Sequence, residues 1–305
     1  MAPPAVRSSR RRLLSAHSDG KGRGNGPRHL SIVIPGFDPG MTVLKIPAIS
    51  STLHLPPIIG HRGAAAHAPE NTLAGFRIAK SLGCAWVEFD VRLTADGAPV
   101  VCHDDRLART TGARGRISKL PLAAIRQLDA GSWFAASFAG ERIPTLRAAL
   151  TCCRELGLGA NVEIKAERGC GPATAGAVVS CLERLAGYLP PILISSFLTD
   201  AVAEAATLAP SVPRGILWRK IPRNWAKTAA QLGCATIHCG HADLTENISA
   251  KIRAAGYQLL AYTVNDAARA RQLFGWGIAS VFSDAPDIIG GATAGELAVA
   301  RRGVR

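Results

Sequence analysis

The sequence predicts an α/β chain folded as a (β/α)8 TIM barrel with a small insertion after strand 2. Short apolar runs alternate with helical patterns eight times over about 230 residues, close to the ~250 residues of a typical barrel of this kind. The chain has 305 residues and is 48% hydrophobic, which is enough for one large core. A doubly wound sheet is the alternative, and it is disfavoured because no G-x-G-x-x-G motif follows the first predicted strand.

The eight predicted strands are short apolar segments, some with the strict alternation of a half-buried strand. They cover residues 58–61, 86–93, 160–165, 191–197, 214–219, 234–239, 257–264 and 278–284. The helical patterns cover residues 70–83, 143–157, 172–187, 199–209, 224–233, 245–256 and 265–277, and a weaker helix follows the last strand.

One segment interrupts this alternation. Residues from about 104 to 143 follow an extra short strand at 98–104 and show no regular succession of strands and helices. We expect them to form the insertion. Its aromatic residues Trp133 and Phe134 are expected to form a small core of their own.

The barrel is expected to occupy residues 55–292, between two basic terminal segments. Residues 1–40 are rich in Gly, Pro, Ser and Arg and have no apolar period, so they are expected to be a disordered basic extension. A transit peptide or a basic binding arm is the alternative. Because a regular sequence begins at Met41, we expect the biological start there, with a mis-called or dispensable segment upstream. Residues 293–305 are expected to be a basic tail.

The chain carries a formal net charge of +14. Seven Lys or Arg and two Asp in residues 1–40 give +5, which leaves +9 for the other 265 residues. Such a charge attracts nucleic acid, anionic lipid or a small phosphorylated substrate. Beyond the N-terminus the basic residues are not clustered with aromatic ones, so a small anion is favoured and no nucleic-acid partner is expected.

Apolar runs and cysteines bear on the cellular environment. No apolar run approaches the ~18–20 residues of a spanning helix, so stable membrane insertion is not expected. The eight cysteines contain no C-x-x-C pair, and most lie in apolar stretches. Buried free thiols in a reducing compartment are therefore favoured over a disulfide framework, and a cytoplasmic location is expected.

Carboxylates lie near the carboxyl ends of two predicted strands, where a barrel of this kind has its active site. Strand side chains alternate, so Glu88 and Asp90 share one face, and so do Glu163 and Lys165. Three carboxylates in one barrel mouth are costly to bury without a cation, and oxygen ligands suit Mg²⁺ or Ca²⁺. Lys165 either neutralises part of this charge or binds an anion.

Other polar residues also fall at strand ends, among them His61, Arg62, His103, His238 and Asp284. An arginine offers a forked donor to phosphoryl oxygens, and two histidines can exchange protons near neutral pH. Taken singly, a Glu-x-Asp strand is a solvated face, an arginine is an ion-pair partner, and a lone histidine such as His238 is a hydrogen-bonded structural residue. Their convergence on one end of the barrel favours a phosphate site.

Several neighbours have simpler interpretations. Ser195 and Ser196 are expected to be structural. Glu70 is expected to stabilise the first turn of the helix predicted at 70–83, where the helix dipole favours a carboxylate. Asn71 and Thr72 are expected to belong to the same helix start.

The ordered set of motifs resembles the glycerophosphodiester phosphodiesterase family over residues 57–289, about the whole body of the chain. The motifs are HRG-x5-PENT (61–72), E-x-D-V-x-L-T-x-D-G-x-PV-x-x-HD (88–104), RTTG (109–112), DAGSWF (129–134), IPTL (143–146), VEIK (162–165), SSF (195–197), TVN (263–265) and SDAPD (283–287). Each motif is weak alone, and their joint occurrence is specific.

The resemblance implies a TIM barrel with its insertion after the second strand, and hydrolysis of small-molecule glycerophosphodiesters to sn-glycerol 3-phosphate and an alcohol. It implies that the general acid and base are His61 and His103, in either order. It implies that one divalent cation, Mg²⁺ or Ca²⁺, is held by Glu88, Asp90 and Glu163, and that phosphate is bound by Arg62 and Lys165. It also places Glu70, in the motif PENT, near the site without a defined role.

This chain departs from the family pattern at the substrate rim. Tyr262 stands where the family often has Trp before TVN, Ala285 replaces a common Arg, and His238 has an unusual flank. We expect His238 and Tyr262 to contact substrate, with an altered preference for the head group. Two alternatives stay open: a barrel phosphodiesterase of the lysophospholipase D or sphingomyelinase kind, and a non-catalytic glycerophosphate-binding barrel. The sequence does not predict the oligomeric state.

Overall fold

Eight parallel strands close into a barrel, and helices connect them on the outside. This computed structural model describes residues 53–293, with the side chains of residues 53–290. The expectations for residues 1–40, and for the tail beyond residue 293, lie outside the described residues. The predicted (β/α)8 TIM barrel is confirmed, because the first and second strands pair with each other and complete the circle.

Nine strands and ten α-helices make up the described part of the chain. The strands are β1 (Ile58–Gly60), β2 (Trp86–Leu93), β3 (Pro99–Val101), β4 (Gly159–Ile164), β5 (Ile192–Ser196), β6 (Arg214–Trp218), β7 (Thr236–Gly240), β8 (Gln258–Tyr262) and β9 (Ser280–Ser283). The helices are α1 (Leu73–Ser81), α2 (Ala108–Thr111), α3 (Leu122–Ile125), α4 (Leu146–Leu156), α5 (Gly171–Arg184), α6 (Thr199–Leu208), α7 (Trp225–Gln231), α8 (Glu246–Ala254), α9 (Ala267–Gly275) and α10 (Pro286–Thr293).

Around the barrel the strand order is β1, β2, β4, β5, β6, β7, β8, β9 and back to β1. Strand β3 pairs antiparallel with the carboxyl-terminal end of β2 and belongs to the insertion rather than to the barrel. All eight predicted barrel strands are therefore present. Their ends differ from the predicted ones by at most two residues, and β2 has the predicted ends.

Side-chain caps set several helix starts. Thr72, Thr145, Thr245 and Asp266 each accept a hydrogen bond from a backbone N–H in the first turn of the helix that follows. The cap at Thr72 corrects the sequence analysis, which started the first helix at residue 70. Glu70 and Asn71 therefore precede the helix, and their side chains are available to the barrel mouth.

Apolar side chains fill two layers. Inside the barrel, Ile59, Trp86, Leu193, Leu260 and Phe282 form one buried cluster, and Phe282 reaches the cavity of the site. Outside it, Val, Ile, Leu and Ala of the strands pack against small and aliphatic residues of the helices. Small residues let the helices approach the sheet closely, which explains how a chain with only 5% aromatic residues forms this core.

Gly215, on β6, leaves space at the centre of the barrel. A Cβ at Gly215 would lie 2.2 Å from Thr236 Oγ1 and 2.7 Å from His238 Nε2. Such contacts are too short for any side chain. Gly215 therefore leaves room for an inward-pointing histidine from β7.

The insertion has a core of its own, but not the predicted one. Its buried residues are aliphatic and small: Val100, Cys102, Leu107, Ile117, Ile125, Ala130 and Ile143. The prediction for Trp133 and Phe134 is wrong, since Trp133 is 40% exposed and stacks edge-on against Phe134 with ring centroids 5.7 Å apart. The Asp129 carboxylate accepts hydrogen bonds from the backbone N–H groups of Gly131, Ser132 and Gly140, and this tight turn directs the aromatic residues outward.

All eight cysteines are free, and seven of them are buried; Cys170 is exposed. Burial raises the pKa of the Cys84 thiol to about 11, so this side chain is a neutral core residue. In the described part of the chain, no helix has the length and apolar character needed to cross a lipid bilayer.

Candidate active site

A cavity of about 420 Å³ opens at the carboxyl ends of the barrel strands. Eight of the nine predicted site residues line it: His61, Arg62, Glu88, His103, Glu163, Lys165, His238 and Tyr262. The ninth, Asp90, is buried among the side chains of this group. The other lining residues are Asn161, Phe197, Leu217, Arg219, Thr263 and Phe282.

Three buried carboxylates form the centre of the site. Asp90 on β2 pairs in register with Glu163 on β4, and Glu88 lies two residues before Asp90 on the same face. One oxygen from each of the three side chains lies within 4.8 Å of the others. The prediction from side-chain alternation, that these three carboxylates point to one place, is therefore confirmed.

The three carboxyl groups differ in their affinity for a proton. Burial, together with the charge of Asp90, raises the pKa of Glu88 to about 8. Burial and the same neighbour raise the pKa of Glu163. Burial works in the same direction on Asp90, but the charges of Lys165 and Arg62 outweigh it and hold its pKa well below the usual range. Like charges crowded in a buried site produce this divergence.

This group fits a hard divalent cation. All of its donors are carboxylate oxygens, the ligand type that Mg²⁺ and Ca²⁺ prefer. Glu88 Oε1 is buried and has no hydrogen-bond partner in the described part of the chain. A buried acceptor without a donor is costly, and a cation would remove that cost. The residues present could therefore hold a metal ion, and their chemistry does not choose between Mg²⁺ and Ca²⁺.

Two cations adjoin the carboxylates. Lys165 Nζ lies 3.1 Å from Asp90 Oδ1 and donates a hydrogen bond to Glu163 Oε1 at 3.0 Å. Arg62 Nη1 donates to Glu70 Oε1 at 2.9 Å, and Arg62 Nε lies 3.4 Å from Asp90 Oδ2. Both cations are held at the cavity wall by carboxylates on their inner side.

His61 follows β1, and its ring is held by a carboxylate that follows the neighbouring strand β9. Its Nδ1 lies 2.6 Å from Asp284 Oδ1, just after β9, and its Nε2 lies 3.8 Å from Glu88 Oε2. Burial opposes a charged imidazole, but the Asp284 hydrogen bond and the charge of Glu88 outweigh it, so the pKa of His61 is raised. Asp284 in turn accepts a hydrogen bond from Asn265 Nδ2 at 2.8 Å.

His103 has a carboxylate partner of its own in the insertion. Its Nδ1 lies 2.7 Å from Asp104 Oδ1, and Asp104 accepts from Arg109 Nε at 2.7 Å. Burial lowers the pKa of His103, the charges of Lys165 and Arg62 add to this effect, and the net shift is downward. The ionised Asp104 carboxylate accepts a hydrogen bond from Nδ1–H, so the neutral ring presents the lone pair of Nε2.

Two residues assigned to a helix start instead support the site. Glu70 accepts hydrogen bonds from Arg62 and, at 2.6 and 2.8 Å, from Arg109. Asn71 has a φ of 59° and donates through Nδ2 to Asp90 Oδ2 at 2.9 Å, while its own Oδ1 accepts from the Asp90 backbone N–H. The predicted helix-stabilising role of Glu70 is wrong, because the helix begins later.

The remaining predictions concern the floor and the serines. His238 is fully buried, its Nε2 lies 2.8 Å from Thr236 Oγ1, and burial lowers its pKa to about 3, so the ring is neutral. Tyr262 places a buried hydroxyl, without a partner in the described residues, at the same cavity. Ser196 donates to the Ile164 carbonyl and Ser195 accepts from Asn161, which supports their structural interpretation.

Comparisons with known proteins agree with this geometry. Residues 61–288 match the model of the glycerophosphoryl diester phosphodiesterase family. The chain is 29% identical over 233 residues to the glycerophosphodiester phosphodiesterase of Caldanaerobacter subterraneus subsp. tengcongensis, covering 76% of this chain and 95% of the relative. It also resembles the solved structure of an Oleispira antarctica phosphodiesterase in complex with the product sn-glycerol-3-phosphate. That likeness has a TM-score of 0.76 and 41% identity and covers 78% of this chain and 96% of the other. A glycerophosphodiester phosphodiesterase from Agrobacterium tumefaciens gives a TM-score of 0.66 at 30% identity, over 78% and 100% of the two chains.

Proposed function

The chain belongs to the glycerophosphoryl diester phosphodiesterase family, and on that basis we propose that it hydrolyses glycerophosphodiesters to sn-glycerol 3-phosphate and an alcohol. One observation carries the proposal: two histidines with opposite pKa shifts face one cavity that also holds three carboxylates and two cations. Pairs of titratable groups pushed apart in this way are typical of an acid and a base. The product bound to the Oleispira antarctica phosphodiesterase supports the assignment of the substrate.

Phosphate binding is assigned to the cations of the cavity wall. Arg62 and Lys165 line the cavity, and each already contacts a carboxylate of the site. Their positive charge would neutralise the phosphodiester and stabilise the charge that develops on its oxygens in the transition state. A divalent cation held by Glu88, Asp90 and Glu163, either Mg²⁺ or Ca²⁺, would supply further positive charge to the same oxygens when bound.

The roles of His61 and His103 in proton transfer are assigned from the opposite shifts of their pKa values. His103, with its lowered pKa and its Nδ1–H donated in a hydrogen bond to Asp104, is the base that takes a proton from the attacking hydroxyl at Nε2. His61, with its raised pKa and its bond to Asp284, is the acid that protonates the leaving alcohol. The attacking hydroxyl is either water or the 2-hydroxyl of the substrate's own glycerol.

The polar floor is assigned to the glycerol moiety. His238 Nδ1, Asn161 Oδ1 and the Tyr262 hydroxyl are buried atoms without a partner among the described residues, and all three side chains line the cavity. Donors and acceptors of this kind match the hydroxyls of glycerol.

We place the reaction in the cytoplasm, with the basic segment of residues 1–40 outside its mechanism and no nucleic acid involved.

Product analysis tests the proposal. The purified chain is incubated with glycerophosphocholine and glycerophosphoethanolamine, first after treatment with EDTA and then with Mg²⁺ or Ca²⁺ restored. We expect glycerol 3-phosphate and the free alcohol, formed only after the cation is restored. Free glycerol with a phosphorylated alcohol, or activity that EDTA does not change, would contradict it.

The same assay separates the two alternatives. Turnover of lysophosphatidylcholine or sphingomyelin alone would favour the lipid phosphodiesterase. Binding of glycerol 3-phosphate without turnover of any diester would favour the non-catalytic barrel.

A further inference from the structure

One cation at the active-site cavity differs from the others. Arg219 directly follows β6, is exposed and lines the cavity. Within residues 53–290 its guanidinium has no carboxylate partner, whereas Arg62 and Lys165 are each paired with buried carboxylates. No carboxylate of the described residues compensates its charge, which is therefore available to a ligand that enters the cavity.

The backbone of Arg219 is fixed although its side chain is exposed. Its carbonyl accepts a hydrogen bond from Cys239 Sγ at 3.5 Å. Gly240 packs so closely that a Cβ there would lie 2.8 Å from the same carbonyl oxygen. Strand β7 thus anchors residue 219 at the rim, and the side chain extends from a defined position.

Two aromatic residues of the cavity, Phe197 and Tyr262, already lie close to the protein's own cations. Lys165 Nζ lies 5.8 Å from the centroid of the Phe197 ring. Phe197 meets Tyr262 edge-on, with centroids 5.9 Å apart, and Arg219 lies close enough for its charge to act on the Tyr262 phenol. Exposed aromatic faces bind quaternary ammonium groups well. Here the exposed ring of Phe197 already has Lys165 over it.

We propose that Arg219 selects the alcohol portion of the diester, favouring head groups that carry a negative charge over neutral ones, and neutral ones over a quaternary ammonium. This inference rests on the proposed function, because it specifies which glycerophosphodiesters the site takes. The reason is electrostatic: a guanidinium without a carboxylate partner among the described residues attracts a carboxylate and repels trimethylammonium, and because Arg219 is exposed, screening by water keeps the effect modest.

The test uses three diesters of sn-glycerol 3-phosphate that differ in the charge of the alcohol: glycolate (anionic), glycerol (neutral) and choline (cationic). For wild type we expect kcat/KM to fall in that order. Arg219→Gln should reduce the glycolate-to-choline ratio by about fivefold, the effect of one partly exposed charge. Arg219→Glu should reverse the order, and Arg219→Lys should keep it.

Lys220→Gln is the matched control, since it removes the same charge from the next residue, which is exposed and does not line the cavity. It should leave the ratio unchanged. An Arg219→Gln variant that slows all three diesters equally would overturn the inference in favour of a general phosphate contact. A ratio that does not change in Arg219→Glu would overturn it as well.

Binding separates this inference from the proposed function. Calorimetric titration of the same full chain with the three diesters, in a His61→Gln background, gives Kd values that do not depend on turnover. If no diester is hydrolysed by wild type, the proposed function fails, and the order of the Kd values still decides on Arg219. If the diesters are hydrolysed but the Kd and kcat/KM orders ignore charge, only the selection by Arg219 fails.

Discussion

Asp284 holds the ring of His61: its Oδ1 lies 2.6 Å from His61 Nδ1, although the two residues are 223 positions apart in the chain. Its other oxygen accepts a hydrogen bond from Asn265 at 2.8 Å, so the carboxylate is fixed on both sides. The bond crosses the seam where β9 meets β1 and closes the barrel. The pairing of β1 with β9, the first and last strands of the barrel, therefore also brings Asp284 to the ring of His61 and orients it.

Asp284→Asn should lower kcat by about 100-fold or more, because an amide no longer favours the Nδ1–H tautomer or stabilises the charged ring. KM should change far less. Asp287→Asn is the control: Asp287 lies 2.7 Å from His67 Nε2 in an exposed pair of the same type, and His67 has no assigned chemistry. Steady-state kinetics of the two variants compare the pairs. Equal effects would show that His61 is not oriented by Asp284 for catalysis.

Substrates with different leaving groups should separate the acid from the base. The p-nitrophenyl ester of sn-glycerol 3-phosphate needs no proton on its leaving group, whereas glycerophosphocholine does. His61→Gln should therefore lose at least about tenfold more activity on glycerophosphocholine than on the activated ester, while His103→Gln should lose similar activity on both. The reverse pattern would exchange the two assignments.

The barrel and the three metal-ligand candidates could be predicted because they depend on local regularities. Alternation along β2 places Glu88 and Asp90 on one face, and the same rule applies to Glu163 and Lys165 on β4. Parallel pairing then brings the strand ends together. No long-range contact had to be known to infer the carboxylate cluster.

The contacts that hold these residues in place could not be predicted from the sequence in the same way. Asp284 was visible only as a polar residue at a strand end, because its contact with His61 depends on how the barrel closes. The helix predicted from residue 70 is capped by Thr72 instead, and Asn71 before it has a left-handed conformation and donates a hydrogen bond to Asp90. Arg219 had no local signal in the sequence, since its place in the cavity depends on how the strands assemble.

Asn71→Asp should destabilise the fold by about 2 kcal/mol, because it replaces an amide donor by a fourth carboxyl group 2.9 Å from Asp90 Oδ2. The backbone is not the cause, since aspartate tolerates the positive φ of 59°. Urea unfolding of the full chain measures the change. Asn224→Asp makes the same substitution at an exposed helix start, where the side-chain amide donates a hydrogen bond to Thr228 Oγ1, and should be nearly neutral. Equal stability of the two variants would refute the proposed role of Asn71.

Glu70→Gln should make stability less sensitive to acid. In the folded state burial would raise the pKa of Glu70, but hydrogen bonds and charge from Arg109 and Arg62 outweigh it and lower the pKa. The lowered pKa means that this stabilisation is complete above the unfolded-state value of about 4.3 and is lost as the pH falls through the folded-state value.

Urea unfolding at pH 7 and pH 3 should therefore show a larger loss for wild type than for Glu70→Gln. At pH 7 the variant should be less stable by about 2 kcal/mol, since Arg109 and Arg62 lose a charged acceptor. An identical pH dependence of the two proteins would mean that the Glu70 carboxylate contributes nothing through its ionisation.

The central claim is that three carboxylates and a divalent cation support release of glycerol 3-phosphate in this cavity. The most direct measurement is the rate of that release from glycerophosphoglycerol by metal-stripped protein with Mg²⁺ or Ca²⁺ added back, for wild type, Glu163→Gln and the exposed helix variant Glu155→Gln. The account predicts that wild type and Glu155→Gln recover activity with the cation and that Glu163→Gln stays at least about 100-fold lower. Full activity of Glu163→Gln, or of the metal-stripped wild type, would contradict it.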